Sequence, residues 1–321
     1  MPQSEFELID RYFRRCGAQR ADVRVGVGDD AALLECPSGM VLAAAVDTLV
    51  EGVHFPRGCR PDSIGHRALA VNLSDLAAMG ARPAWALLAL TLPAAEERWL
   101  SEFTAGFAAL ARIHEVALVG GDTTQGPLTV TVTLIGPVPL GAALLRSGAA
   151  AGDALFVSGT PGDAAAGLAL EQGRLEGLGQ AEYLRERFLF PTPRVALGQR
   201  LRPYASACID VSDGLLADAL KLARASGCGL EIDAVRLPLS ASLRALGAER
   251  AREFALTGGD DYELCFTVPP QQLARLHEDL PPQQWGYTRI GSMRGEPGAR
   301  VIGEAGELPL PTGGYDHFAQ A

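Results

Sequence analysis

Residues 68–92 read ALAVNLSDLAAMGARPAWALLALTL, and this stretch decides what kind of fold the chain can form. From Ala68 to Met79 apolar residues fall on nearly every side of a 3.6-residue period, so a helix buried all round is predicted, beginning at Asp62. Ala81-Arg82-Pro83 ends it, because a proline disfavours helical geometry in the residue before it. Ala84 to Leu92 is then an apolar run of strand length. A buried helix feeding straight into an apolar strand is the building unit of a layered fold in which helices cover sheets.

The same alternation continues in both directions. Toward the N-terminus, residues 4–15 predict a short helix with Ser4 and Glu7 as a capping box, and Ala32–Leu34 and Met40–Val46 predict strands. Toward the C-terminus come a helix over Glu96–His114 and strands over Val116–Val119 and Leu128–Val138. The rhythm changes across Pro137–Gly152, rich in Pro, Gly and Ala, which places a domain boundary there and gives domains 1–140 and 141–321. Beyond it the pattern predicts a strand at Ala154–Ser158, helices over Asp163–Gln172, Glu182–Phe188 and Arg194–Leu201, and a strand at Ala207–Ile209. A helix over Leu215–Ala225 and strands at Tyr262–Val268 and Thr288–Ser292 follow. The fold class is therefore α/β (α+β), in two domains, with no short-period repeat.

Composition narrows the function classes. At 321 residues, 48% hydrophobic and 21% charged, the chain has material for sizeable cores. A net charge of −10 argues against a nucleic-acid partner, since little here could neutralise a run of phosphates. No apolar stretch approaches the length of a membrane span and the first residues lack a signal-peptide pattern, so the expected location is the cytoplasm. The six cysteines contain no CxxC pair and the five histidines no HxxxH or HExxH spacing, which leaves zinc and a disulfide framework without support.

The informative residues are aspartates beside glycines at the ends of apolar runs: Gly28-Asp29-Asp30, Val46-Asp47-Thr48, Gly120-Gly121-Asp122-Thr123, Asp210-Val211-Ser212-Asp213-Gly214 and Gly258-Gly259-Asp260-Asp261. Each alone has an ordinary reading as a turn, and Ser212 or Asp213 could be the N-cap of the helix from Leu215. Asp75 resists that reading. It lies in the buried helix, three residues after Asn72 and on the same face, where an ionised carboxylate needs a compensating cation; the competing reading makes Ser74 the cap of a second helix. Together, several aspartates with no Cys/His set fit a hard, oxygen-liganded cation such as Mg²⁺, usually shared between a few carboxylates and substrate phosphates. No G-x-x-x-x-G-K-[ST] string occurs, and Lys221 is the sole lysine, read as a solvated charge on its helix. Phosphates bound here would be met by metal ions and arginine.

In order along nearly the whole chain, GVGDDAA (26–32), VDTLVEGVHF (46–55), NLSDLAAMG (72–80), VGGDTT (119–124), RSGA (146–149), DVSDGL (210–215) and GGDDYEL (258–264) resemble the thiamine-monophosphate kinases of the aminoimidazole-ribonucleotide synthetase-like superfamily. The resemblance implies transfer of the γ-phosphoryl group of ATP to thiamine monophosphate. It also implies a homodimer in which the N-terminal sheet domains, the ATP- and Mg-binding part, pair across the two-fold, with the site between the two domains. By matching position Asp30, Asp47, Asp75, Asp122, Asp210 and Asp213 would hold several Mg²⁺ ions, and K⁺ is admissible beside them. Gly121, Asp122, Arg146 and Ser212 would contact ATP. His54 and Glu263 would lie at the thiamine phosphate, with Phe318, or else Tyr315, against the thiamine rings. From the residues alone, His54 reads equally as a partly buried ring and Glu263 as part of a solvated strand face.

Rival members of the superfamily fit less well. Selenophosphate-forming enzymes carry a reactive N-terminal Cys near a Lys, whereas Cys16 has no lysine neighbour, and nitrile-forming relatives end in Cys, whereas this sequence ends Phe318-Ala319-Gln320-Ala321. Aminoimidazole-ribonucleotide synthetase itself, the diguanylate cyclases that GGDDY superficially resembles, and a nucleotide-binding sensor without turnover are the other readings.

Overall fold

The computed structural model describes residues 5–176 and 181–311. The chain divides into two compact units, one built from residues up to Leu76 and from Ala81 to Gly141, the other from Ala77–Gly80 and from Ala142 onward.

In the first unit, α1 (Glu5–Leu8) runs into a π-helical turn at Ile9–Phe13 rather than continuing as the predicted single helix. The amide of Arg14 bonds the Ile9 carbonyl, five residues back, which widens the helix and ends it. A two-stranded ribbon of β1 (Val23–Val25) and β2 (Leu33–Leu34) follows. The unit's main sheet has the order β3-β6-β4-β5, from β3 (Met40–Val50), β4 (Trp85–Leu92), β5 (Ala117–Gln125) and β6 (Thr129–Pro139). The buried helix predicted from residue 62 is α2 (Pro61–Ala78), continuous through Ser74, so that serine caps no second helix. The helix α3 (Glu97–Ile113) buries Leu100, Phe103, Phe107 and Leu110, the spacing of a single apolar stripe.

Two of the expected turns are not turns. Asp47 lies inside β3, which pairs with β6 along its whole length, and Asp122 lies inside β5, paired with Ala89 of β4. Glycine and aspartate disfavour strands locally, but a neighbouring strand that supplies every backbone hydrogen bond overrides the preference.

The second unit is built on a seven-stranded sheet of order β13-β12-β9-β11-β7-β10-β8. Its strands are β7 (Ala154–Ser158), β8 (Ala207–Val211), β9 (Gly229–Asp233), β10 (Glu263–Val268), β11 (Tyr287–Arg294), β12 (Gly298–Gly303) and β13 (Gly306–Leu308). Between them run α4 (Asp163–Glu171), α5 (Ala181–Leu189), α6 (Val195–Leu201), α7 (Leu215–Ala225), α8 (Ala241–Arg244), α9 (Ala248–Thr257), α10 (Leu273–Asp279) and α11 (Pro282–Trp285). Every residue of β7, β8 and β10 is buried. Leu155, Val157, Ile209, Val211 and Cys265 join Leu215, Ala219 and Leu222 of α7 and Ala255 of α9 in one core. Phe156 stacks on Phe266 at 5.3 Å, and Tyr287 meets both rings edge-on. The expectation of a solvated face on β10 therefore fails: with cover on both sides, alternation along the strand exposes nothing. Among the described residues no helix is long and apolar enough to cross a membrane.

Candidate active site

In the second unit the structure brings two of the aspartate strings together. The amide of Asp260 donates to the Ser212 carbonyl at 2.9 Å and that of Tyr262 to the Val211 carbonyl at 2.9 Å, so the loop 258–262 lies along the turn that ends β8. Asp260 and Tyr262 both have positive φ, 67° and 52°, a conformation few residues other than glycine adopt and one that clusters at functional sites. Asp210 sits near the end of β8, 95% buried and paired in register with Leu264.

The turn between Asp210 and Leu215 is not held by its own side chains. The residue before α7 is Gly214, without a side-chain cap, so neither Ser212 nor Asp213 caps the helix. Instead Asp218, one turn into α7 and 1% exposed, accepts the amides of Ser212 and Asp213, each at 2.9 Å. Lys221 donates to Asp218 at 2.8 Å and also to Asp213. The solvated-charge reading of Lys221 is thus wrong, because Asp218 and Asp213 both lie on its side of the helix.

Glu263, at the start of β10, is fully buried, and both of its oxygens are engaged. Oε1 accepts from Arg187 Nη2 at 2.8 Å and Arg194 Nη2 at 2.6 Å, while Oε2 accepts from Arg194 Nε at 2.6 Å and Ser158 Oγ at 2.5 Å. Burial alone would raise its pKa, but the charges and hydrogen bonds of Arg194 and Arg187 outweigh it and hold the carboxyl below the ordinary range. Among the described residues Asp261 makes no such ion pair. Burial pushes it well above the ordinary range, against the amides of Gly162 and Ala164 that it accepts at the start of α4. A Cβ on Gly159 would lie 2.0 Å from Glu263 Oε1, and the residue's φ is +59°. Gly159→Ala is therefore expected to cost about 2–4 kcal/mol, from strain and a displaced buried carboxylate, as measured by urea denaturation. A cost under about 1 kcal/mol would mean that the Glu263 cluster adapts.

Arg146 is not beside Ser212. Its carbonyl accepts from Ser226 Oγ at the C-terminal end of α7, whereas Ser212 precedes the N-terminal end. Eleven residues of helix, about 16 Å, separate the two ends, so the two backbones stand well apart.

In the first unit, Asp47 aligns across the sheet with Val132, Leu88 and Gly121, and Thr48 with Thr131, Ala89 and Asp122. Adjacent residues of a strand face opposite sides, so Asp47 shares the side of buried Val132 and Leu88, and Asp122 the open side of Ala89. The two carboxylates lie on opposite faces, about 14 Å apart across three strand spacings. No single ion within one chain touches both. Gly121 (φ +151°) approaches β4 so closely that a Cβ would sit 1.8 Å from the Leu88 carbonyl, which is the physical content of the double glycine before Asp122. Asp30 is exposed in a turn in which its amide bonds Asp29 Oδ1 at 2.9 Å. His54 Nδ1 accepts the Val50 amide at 3.0 Å, which leaves the ring proton on Nε2. Asn72 is fully buried, donates to the Ala68 carbonyl, and has an Oδ1 with no hydrogen-bond partner. Asp75 is half-buried three residues on.

Among the described residues no three His, Cys, Asp or Glu side chains stand close enough to hold an ion by themselves. A Mg²⁺ ion keeps several waters and is bound through one or two carboxylates plus substrate phosphates. The orphaned Asn72 oxygen is an acceptor that a metal-bound water could satisfy. Phe318 and Tyr315 lie outside the described residues.

Residues 28–138 match the N-terminal domain, and 150–304 the C-terminal domain, of AIR synthase related proteins. The thiamine-monophosphate kinase of Salmonella typhimurium is 49% identical over 99% of both chains. The chain belongs to the thiamine-monophosphate kinase family. The crystal structure of the family member from Stenotrophomonas maltophilia K279a is 51% identical, with a TM-score of 0.83 over 89% of this chain and 93% of that one. AaThiL complexed with AMPPCP and TMP is 36% identical, with a TM-score of 0.77 over 91% and 92% of the two chains. The fold is thus the two-domain AIR synthase-like fold expected from the motifs.

Sequence reasoning missed Arg187, Arg194, Ser158 and Asp218. A signal existed for the arginines, since a glutamate beside two buried strand runs demands cations. The strings typical of thiamine-monophosphate kinases do not say which of the chain's many arginines supply them.

Proposed function

We propose that this chain is the kinase that phosphorylates thiamine monophosphate to thiamine diphosphate with ATP, the last step in forming that cofactor. Full-length identity to thiamine-monophosphate kinases carries the reading, and the solved relative that holds both an ATP analogue and TMP names the two substrates of that protein. Aspartates 30, 47, 75, 122, 210 and 213 are the ligands we assign to several Mg²⁺ ions, with K⁺ admissible. Gly121, Asp122, Arg146 and Ser212 are assigned to ATP. His54, through its Nε2 proton, and Phe318 are assigned to the thiamine phosphate and rings. Glu263 belongs to that site through the arginines it holds.

Mg²⁺ bound to these carboxylates would offset the repulsion between two anionic substrates. The acceptor phosphate oxygen is already a nucleophile, and phosphoryl transfer has a loose transition state that needs alignment and charge neutralisation more than a base. Transfer is accordingly direct and in line, without a phosphoenzyme. A kinetically competent ³²P-labelled protein would sink that part of the reading.

The N-terminal domain, 1–140, is the part we assign to ATP, Mg²⁺ and dimerisation, with 141–321 as the C-terminal α/β domain and the cytoplasm as the location. A homodimer is supported by the open face of the first unit's sheet, where Leu42, Val46 and Leu87 are 51%, 62% and 36% exposed. That face also carries Asp122. A monomer mass by light scattering would remove dimerisation.

The deciding experiment supplies ATP and Mg²⁺ with thiamine monophosphate or thiamine and follows ADP release and thiamine diphosphate fluorescence after oxidation. Product from the monophosphate alone is expected. Binding of Mg-ATP without turnover would make the chain a sensor instead.

A further inference from the structure

Lys221 is the only lysine in the chain, and it is spent on a carboxylate that the reading above gives to a metal ion. Its two contacts differ in kind. Asp218, 1% exposed, is a fixed anchor whose Oδ2 holds the Ser212 and Asp213 amides and whose Oδ1 receives the ammonium at 2.8 Å. Asp213 has a side chain 31% exposed, is held through Oδ2, and leaves Oδ1 uncommitted to the lysine. The Lys221 side chain is 40% exposed, so its four-carbon stem can carry the ammonium toward water without burying a charge.

We propose that Lys221 is a resident counter-ion of the Asp213 carboxylate, neutralising it until Mg²⁺ arrives and then giving way. This rests on the assignment of Asp213 as a metal ligand. The turn Asp210–Gly214 and the loop 258–262 together carry Asp210, Asp213 and Asp260, and the ammonium of Lys221 offsets that negative charge at Asp213. The backbone of the turn does not depend on the lysine, because Asp218 holds both amides independently. Removing the lysine therefore leaves the backbone of the turn standing, although Asp218 loses its ammonium partner, and takes away a positive charge that competes with the metal for Asp213. Mg²⁺ must displace the ammonium from Asp213, so loss of that ammonium tightens binding.

The test uses the full chain without nucleotide and Mn²⁺ as a stand-in for Mg²⁺, with free Mn²⁺ read by electron paramagnetic resonance. Lys221→Met is expected to tighten one class of site by about tenfold, a Coulombic effect of this size being ordinary for a half-exposed pair. Lys221→Arg, which keeps the charge, should stay within about twofold of wild type. Asp213→Asn should abolish that class in both the wild-type and Lys221→Met backgrounds. Unchanged or weaker binding in Lys221→Met, with the Asp213 dependence intact, would overturn the counter-ion role and spare the metal assignment. Binding indifferent to Asp213→Asn, or absent from wild type and Lys221→Met alike, would overturn the metal assignment and the counter-ion role with it. The melting temperature of the metal-free Lys221→Met protein shows whether it is folded; if it is not, Lys221→Gln, which removes the charge but keeps a donor for Asp218, takes its place with the same expected tightening and the same overturning result.

Discussion

Replacing Glu263 by alanine is expected to destabilise the second unit by about 3–5 kcal/mol, the usual cost of removing one member of a buried ion pair and stranding the rest. Arg187, whose side chain is 12% exposed, and Arg194 both spend their hydrogen bonds on this carboxylate. Arg187 Nε already lacks a partner, so little slack remains to re-pair the charge. For a unit of this size the loss corresponds to a fall of about 10 °C in the calorimetric transition. Glu263→Gln keeps the shape and an acceptor for Ser158 and should cost less. The pH dependence has a definite sign. Because the folded-state pKa of Glu263 lies below its ordinary value of 4.5, its contribution is fully present above that value and fades as pH falls through the folded pKa. The stability gap between wild type and Glu263→Gln should therefore narrow below about pH 4.5. A gap that stays constant down to pH 3 would contradict the ion-pair account.

Asp75→Ala should lower kcat for thiamine diphosphate formation by about 10³-fold, the several kcal/mol that a positioned metal ion supplies to phosphoryl transfer. The helix α2 is continuous through this position and buried on both sides of it, by Leu73, Ser74, Leu76 and Ala77, so alanine, the best helix former, should leave the fold intact. Loss of activity with an unchanged melting curve, and with reduced Mn²⁺ binding, is the expected combination. A tenfold effect or less would remove Asp75 from the metal ligands.

Much of this was legible in residues 68–92 and in the repeated aspartate strings. Periodicity is a local property, and it placed α2, α3, β4 and α7 to within a residue or two because each buries a face that its own sequence writes out. The strands β9, β12 and β13 escaped notice because they are short, glycine-bounded and partly exposed, and take their conformation from their neighbours in the sheet.

By itself, then, the sequence determined the layered two-domain class through its periodicity and the family through its ordered motif strings. Only the tertiary structure decided where the acidic side chains and their partners lie. It put Asp47 and Asp122 on opposite faces of one sheet, buried Glu263 between two arginines, and gave the only lysine to Asp213 and Asp218. The physical reason is that a strand's register and a buried charge's partner are set by pairing between distant segments, such as Glu263 with Arg187 and Arg194, and no local pattern records that pairing.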